Sequence, residues 1–251
     1  MKSYLFLLYA IFGYLFGLLS LLYIAGFLVD VGVPKGISDG EPKGFLFSIL
    51  IDFILVLSFG AFHSITARTS FKRIWTKIIP ASIERSTYLF MTTFMTILLV
   101  WLWQPITWSI WDFHGVWAIA STYILYIMVW SIMALATFQF GHFQFFGLAQ
   151  AWRNIRKTKP NSSPITIRYL YALVRHPISL GWMIAPLIVP NLTIGHLVFS
   201  SATIIYILIA THFEENDLIA EHGESYISYR KNVPTFLPKF IRKQPFRSKP
   251  N

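Results

Sequence analysis

The chain has 251 residues, of which 55% are hydrophobic and 13% charged, with a mean hydropathy of +0.56. Soluble domains carry about a quarter charged residues, so this composition excludes an ordinary water-soluble domain and reads as one integral membrane domain. The absence of cysteine excludes disulfides, thiolate zinc sites, iron–sulfur clusters and a cysteine nucleophile together. The net charge of +10 would suit nucleic acid, but the basic residues flank apolar runs and carry no RNA- or DNA-binding signature, so topology accounts for them and nucleic acid is not an expected partner.

Apolar runs fall at about 3–29, 44–66, 86–106, 116–140, 177–190 and 194–212, which predicts an all-α, polytopic transmembrane helical bundle of six spans in the lipid bilayer. The first run is far longer than the ~7 to 15 residues of a signal-peptide core and no A-x-A-like cleavage site follows, so it is expected to remain as a span. Gly13 and Gly17 form a GxxxG pair suited to close helix packing. The loop GVPKGISDGEPKG repeats glycine every four residues, but its prolines make it a turn-rich connection rather than a phosphate cradle. The fifth run reaches only about 21 Å, contains Pro186 and ends at Pro190-Asn191, so it is expected to form a tight helical hairpin with the sixth.

Alternate loops are basic. Segment 67–85 holds Arg68, Lys72, Arg73, Lys77 and Arg85, and segment 141–176 holds Arg153, Arg156, Lys157, Lys159, Arg168 and Arg175, against only Lys35 and Lys43 in the 30–43 and 107–115 loops. The positive-inside rule then places both basic loops and both termini in the cytoplasm. A cytoplasmic C-terminal helix is expected after the sixth span, closing a single domain over 1–240, with 241–251 a basic disordered tail near anionic head groups.

Seven histidines, at 63, 114, 142, 176, 196, 212 and 222, form no HxxH, HxxxH or HExxH pair, so no metal site is expected. Polar side chains gather instead at span ends on one face. His63 ends span two, His142 ends span four, Arg175 and His176 open span five, and Glu214, Glu215 and Asp217 close span six. Any one of these reads as a side chain snorkelling to water; the four clusters together read as a pocket. Pro177 suits a first helical turn, which points the unpaired N–H groups and positive dipole end of span five at Arg175 and His176. That arrangement suits a carboxylate or phosphate, while FEENDLIAEHGESY offers acceptors for an ammonium, ribose hydroxyls or a cationic centre.

Arg175-His176-Pro177-x-x-x-Gly181, followed 33 residues later by Glu214-Glu215-x-x-Leu218 and then by Gly223-x-x-Tyr226-x-x-Tyr229 and Val233-Pro234, resembles the signature of the membrane methyltransferases that include isoprenylcysteine carboxyl and phospholipid methyltransferases. These bind S-adenosylmethionine without the GxGxxG loop of soluble enzymes, and none occurs here. Segments 62–88, 141–150, 171–199 and 213–238 are similar more narrowly to the bacterial methanethiol S-methyltransferase family, which forms dimethyl sulfide. The resemblance implies an inner-membrane enzyme that uses S-adenosylmethionine, methylates methanethiol or a similar small thiol, and releases S-adenosylhomocysteine. By the same resemblance Arg175, His176, Pro177, Gly181, Glu214, Glu215, Tyr226 and Tyr229 hold the cofactor. Ser179 stands where the superfamily has tyrosine, and Tyr171 or Trp182 is a substitute for the lost ring.

The reactive acceptor is a thiolate, which calls for a base. His63 is the first candidate and His142 the second, since a histidine at a span end can take a proton near neutrality. Asp52, inside span two, is a candidate on intramembrane charge alone, either lining the pocket or holding a tryptophan N–H. Two other readings stay open at this point: a prenylcysteine carboxylate or lipid amine as acceptor, and a non-catalytic transporter or regulator.

Overall fold

The computed structural model describes residues 2–158 and 167–238; the tail at 241–251 lies outside the described residues. In chain order come α1 (Lys2–Phe27), α2 (Phe45–Ala67), α3 (Thr69–Trp75), α4 (Glu84–Leu102), β1 (Ser109–Asp112), α5 (Val116–Phe140), α6 (His142–Phe145) and α7 (Leu148–Arg156). They are followed by α8 (Leu170–Leu173), α9 (Pro177–Ile184) with a 3-10 turn (Ala185–Leu187), β2 (Asn191–Thr193), α10 (Ile194–His222) and α11 (Glu224–Asn232). Helices α1, α2, α4, α5 and α10 are long and apolar enough to cross a bilayer, making the chain an integral membrane protein with a helical bundle fold. Leu5, Leu19, Ile54, Phe94, Trp117 and Ile124 are exposed on their outer faces, where lipid rather than water is the solvent.

Small residues set the contacts between helices. A Cβ on Gly13 would lie 3.1 Å from the Ser86 carbonyl and one on Gly17 3.4 Å from Leu89, so the GxxxG face of α1 is its seam with α4. Helix α10 packs along α2 in the same direction, joined by Ser64 Oγ and the Tyr206 hydroxyl at 2.9 Å and further on by Arg68 and Asp217 at 3.3 Å.

The structure refines the reading of the last two spans. The fifth apolar run folds as an α9 helix and 3-10 turn covering only Pro177–Leu187, which rises about 16 Å, half of a hydrocarbon core. Pro186 ends the α-helical ladder there. The sixth run, expected to end near 212, continues as one helix to His222, because no glycine or proline interrupts it before Gly223. Its 29 residues rise about 43 Å, so Glu214 and Glu215 ride on a continuous helix instead of closing it.

The end remote from the Arg-His-Pro turn is closed by pins. Strands β1 and β2 pair antiparallel, with Ser109 opposite Thr193 and Asp112 opposite Asn191, an element the loop composition did not announce. Trp103, 1% exposed, donates its indole N–H to the Ile37 carbonyl at 3.0 Å, and Lys35 donates to the carbonyls of Trp101 and Trp103. Thr193 and His196 form a reciprocal cap at the start of α10: His196 Nδ1 accepts from the Thr193 backbone, and Nε2 donates to the Leu28 carbonyl at 2.7 Å. This end is built for rigidity.

Candidate functional site

The opposite end is polar. Val174 is extended, Pro177 opens α9, and no side chain caps that helix, so its first-turn amides have no partner within the helix itself. The extended backbone just before it pairs with the segment after α11: Arg175 N–H donates to Pro234 O at 2.9 Å and His176 N–H to Thr235 O at 3.1 Å.

The Arg175 side chain, 7% exposed, completes this junction. Its Nε donates to Glu215 Oε1 at 2.7 Å, Nη2 forms an ion pair with the same oxygen at 2.6 Å and donates to Thr235 Oγ1 at 2.8 Å, and Nη1 donates to the carbonyls of Arg230 and Val233. All five guanidinium N–H groups are engaged inside the chain. The sequence placed Arg175 on a ligand; the structure has it holding Glu215 and the C-terminal segment, and a ligand carboxylate here would meet the α9 amides.

His176 is buried and lies 3.2 Å from Glu215 Oε1 and 3.8 Å from Glu214 Oε2. Glu215 is buried, whereas the Glu214 side chain is 60% exposed and faces outward from the same helix turn. Uncapped amides and two carboxylates thus stand side by side, a donor set suited to a ligand bearing both a carboxylate and positive charge. Tyr171 borders this group; burial, and next the Glu214 carboxylate, push its hydroxyl up to about 12. Burial and then the Glu215 carboxylate likewise raise Tyr226 well above the ordinary tyrosine range.

Other members of the expected set make contacts within the chain. Tyr229 donates to the Tyr171 backbone carbonyl at 2.6 Å, and Tyr226, Tyr229 and Val233 form a small buried cluster with Ile167, Leu218 and Ile219. A Cβ on Gly181 would fall 2.3 Å from Met133 Cγ, so that glycine lets α9 lie against α5. Trp182 packs edge-on against Trp130, with ring centres 5.3 Å apart.

The two candidate bases differ in their hydrogen bonding. Thr137 donates its hydroxyl to the Ala134 carbonyl at 2.7 Å, so its oxygen accepts from His142 Nδ1–H at 2.8 Å. His142 Nε2 then accepts from the Tyr14 hydroxyl at 2.9 Å, and the ring stacks on Phe138 at 4.2 Å. Both nitrogens are satisfied, and burial holds the ring below the ordinary histidine value. His63 has the Tyr88 hydroxyl 2.9 Å from each of its nitrogens, and among the described residues no other hydrogen-bond partner is present. One hydroxyl thus serves both nitrogens, where His142 has a separate partner for each.

Asp52 does not join this group. It is fully buried near the far end, where Oδ1 accepts the Gln104 backbone N–H at 2.8 Å and Oδ2 has no partner. Eleven residues of α2 separate it from His63, about 16 Å by helical rise. It fixes the turn after α4, where a tryptophan N–H had been one expectation. Sequence reasoning missed Tyr88 and Tyr206, since a tyrosine at a span end looks like part of an interfacial aromatic belt.

The chain is 42% identical over 233 residues to a methanethiol S-methyltransferase from a Pseudomonas species, covering 93% of this chain and 90% of that one. It is 37% identical over 238 residues to the enzyme of that name from Crocosphaera subtropica, covering 95% and 93%. A third, from Pseudomonas deceptionensis, is 40% identical over 213 residues, covering 85% and 81%. The chain belongs to the methanethiol S-methyltransferase family. No family model matches it, and no solved structure does either. The matches span nearly the whole chain.

Proposed function

We propose that the chain transfers a methyl group from S-adenosylmethionine to methanethiol, releasing dimethyl sulfide and S-adenosylhomocysteine, at the cytoplasmic face of a bacterial inner membrane. The observation that carries this reading is the meeting of Glu214 and Glu215 with the uncapped start of α9, in a chain whose relatives are named for methyl transfer to methanethiol. The donor set fits the proposed cofactor: first-turn amides of α9 for its carboxylate, Glu214 for its ammonium or ribose hydroxyls, and the buried His176–Glu215 pair behind them. When bound, S-adenosylmethionine supplies an electrophilic methyl whose bond to the sulfonium breaks as the new carbon–sulfur bond forms.

The chain's own part is to bind, orient, remove a proton and exclude water. His63 takes the thiol proton at its bare nitrogen, whereas His142, with both nitrogens engaged, holds α6 against α1. Arg175 acts through Glu215 by fixing its carboxylate. The basic helices α3 and α7 lie at the same end as the site, and their Arg and Lys residues support a cytoplasmic orientation.

Headspace gas chromatography over detergent-purified protein, supplied with S-adenosylmethionine and methanethiol, tests the proposal. Cofactor-dependent dimethyl sulfide is the expected result. If the protein binds S-adenosylhomocysteine without forming dimethyl sulfide, the acceptor is wrong; binding of neither compound overturns the reading altogether.

A further inference from the structure

His63 and Tyr88 form a close pair. The Tyr88 hydroxyl lies 2.9 Å from both ring nitrogens of His63, whose ring has no other hydrogen-bonding partner among the described residues. The ring positions are fixed from behind. His63 stacks on Phe59 with centres 5.8 Å apart, and Tyr88, 6% exposed, packs in a cluster with Leu89 and Phe146. The charged groups facing Tyr88 are the Arg85 guanidinium, 4.8 Å over its ring and tied to the Phe145 carbonyl at 2.8 Å, and the Glu214 carboxylate; the titratable Tyr206 hydroxyl faces it too, and Arg85 also faces His63.

A neutral imidazole has one N–H and one bare nitrogen. Equidistant from both nitrogens, the Tyr88 hydroxyl holds the ring without selecting which nitrogen is bare. When the thiol S–H breaks and the new N–H forms on the bare nitrogen of His63, the Tyr88 oxygen remains beside the imidazolium. Histidine bases are oriented by a third group in this way in many active sites, commonly by a carboxylate. Among the described residues no carboxylate hydrogen-bonds His63, and a phenol hydroxyl occupies that place.

We propose that Tyr88 is a positioning residue that holds the His63 ring in orientation for proton removal from the thiol. This inference rests on the assignment of His63 as the base. It gives the His63–Tyr88 pair a different task from the similarly built His142–Tyr14 pair, where Thr137 takes the second nitrogen.

The test compares Tyr88→Phe, His63→Gln and the double variant by dimethyl sulfide formation across pH, with S-adenosylhomocysteine affinity measured by calorimetry and folding checked by thermal unfolding. Tyr88→Phe removes one oxygen and keeps the ring under Arg85. Its kcat at neutral pH is expected to fall about 10- to 100-fold, less than the ~10²- to 10⁴-fold of the base itself. KM for the thiol and the affinity for S-adenosylhomocysteine should stay as in the wild type.

The deficit should shrink as pH rises toward thiol ionisation, about 8.5 for a cysteine reference, because solution then supplies the thiolate. The double variant should be no slower than His63→Gln, as for residues acting as one unit. A loss in Tyr88→Phe that is constant across pH, or that tracks weakened affinity, assigns Tyr88 to packing and overturns the inference. Wild-type turnover in Tyr88→Phe overturns it too. Wild-type turnover in His63→Gln instead removes the base assignment, whatever Tyr88→Phe does.

Discussion

Replacing Arg175 separates two roles that the sequence could not. In Arg175→Ala, Glu215 keeps only His176 at 3.2 Å and a distant Arg230 at 4.0 Å, and the Arg230 and Val233 carbonyls lose their donor. Both members of the Arg175–Glu215 pair are about nine-tenths buried, so removing one leaves an under-compensated charge at a cost of about 3–5 kcal/mol. For a chain of this size each kcal/mol is about 2–4 °C of melting temperature, giving a fall of roughly 6–20 °C. Arg175→Lys should recover little, since one ammonium cannot span a carboxylate, two carbonyls and Thr235 Oγ1. Thermal unfolding of the ligand-free protein in detergent reads the effect, and faster tryptic cleavage at Arg230 and Lys231 reports release of the C-terminal segment. Unchanged melting together with lost S-adenosylhomocysteine affinity would refute this reasoning and put the guanidinium on the ligand.

Gly60→Ala places a Cβ 2.5 Å from the Tyr206 ring, so it should cost about 1–3 kcal/mol by thermal unfolding, and adding Tyr206→Ala should relieve part of that cost. Asp52→Asn keeps an acceptor for the Gln104 N–H, and lying some 16 Å along α2 from His63 it should retain turnover; a loss of more than about tenfold in the dimethyl sulfide assay would bring Asp52 back into the chemistry. His142 is held below its ordinary value by burial, so its contribution to stability is present above about pH 6.5 and is lost as pH falls toward its folded value. His142→Gln should therefore flatten the acid limb of a plot of melting temperature against pH.

The bundle was legible because lipid demands long apolar helices, and α1, α2, α4 and α5 begin and end within a few residues of their apolar runs, as proline, glycine and charge dictate. Hydropathy fails where a helix leaves the membrane. The acidic turns of α10 are as helical as its apolar ones, since Glu and Leu share good helix propensity, so the helix ends at Gly223 and not where polarity rises. The pairing of β1 with β2 rests on a contact between residues some 80 positions apart, which no local pattern encodes.

The site shows the same division. Spacing brought His176, Glu214 and Glu215 to one end, and the structure makes them neighbours. Spacing could not say which charged groups remain open, because that depends on backbone carbonyls arriving from elsewhere in the chain. Arg175 carries the most conspicuous charge of the motif, yet the carbonyls of Arg230 and Val233 and the Thr235 hydroxyl take up its donors. The inconspicuous Tyr88 serves both nitrogens of a histidine with one hydroxyl. A charge satisfied within the chain stabilises the frame, and an unsatisfied nitrogen inside that frame is where a proton can go. On the proposed assignment of His63 as the base, which lies about 12 Å of helix deeper than Glu214 if Tyr206 marks its level on α10, a ligand held at the carboxylates would point its reactive atom inward along α2 and α10.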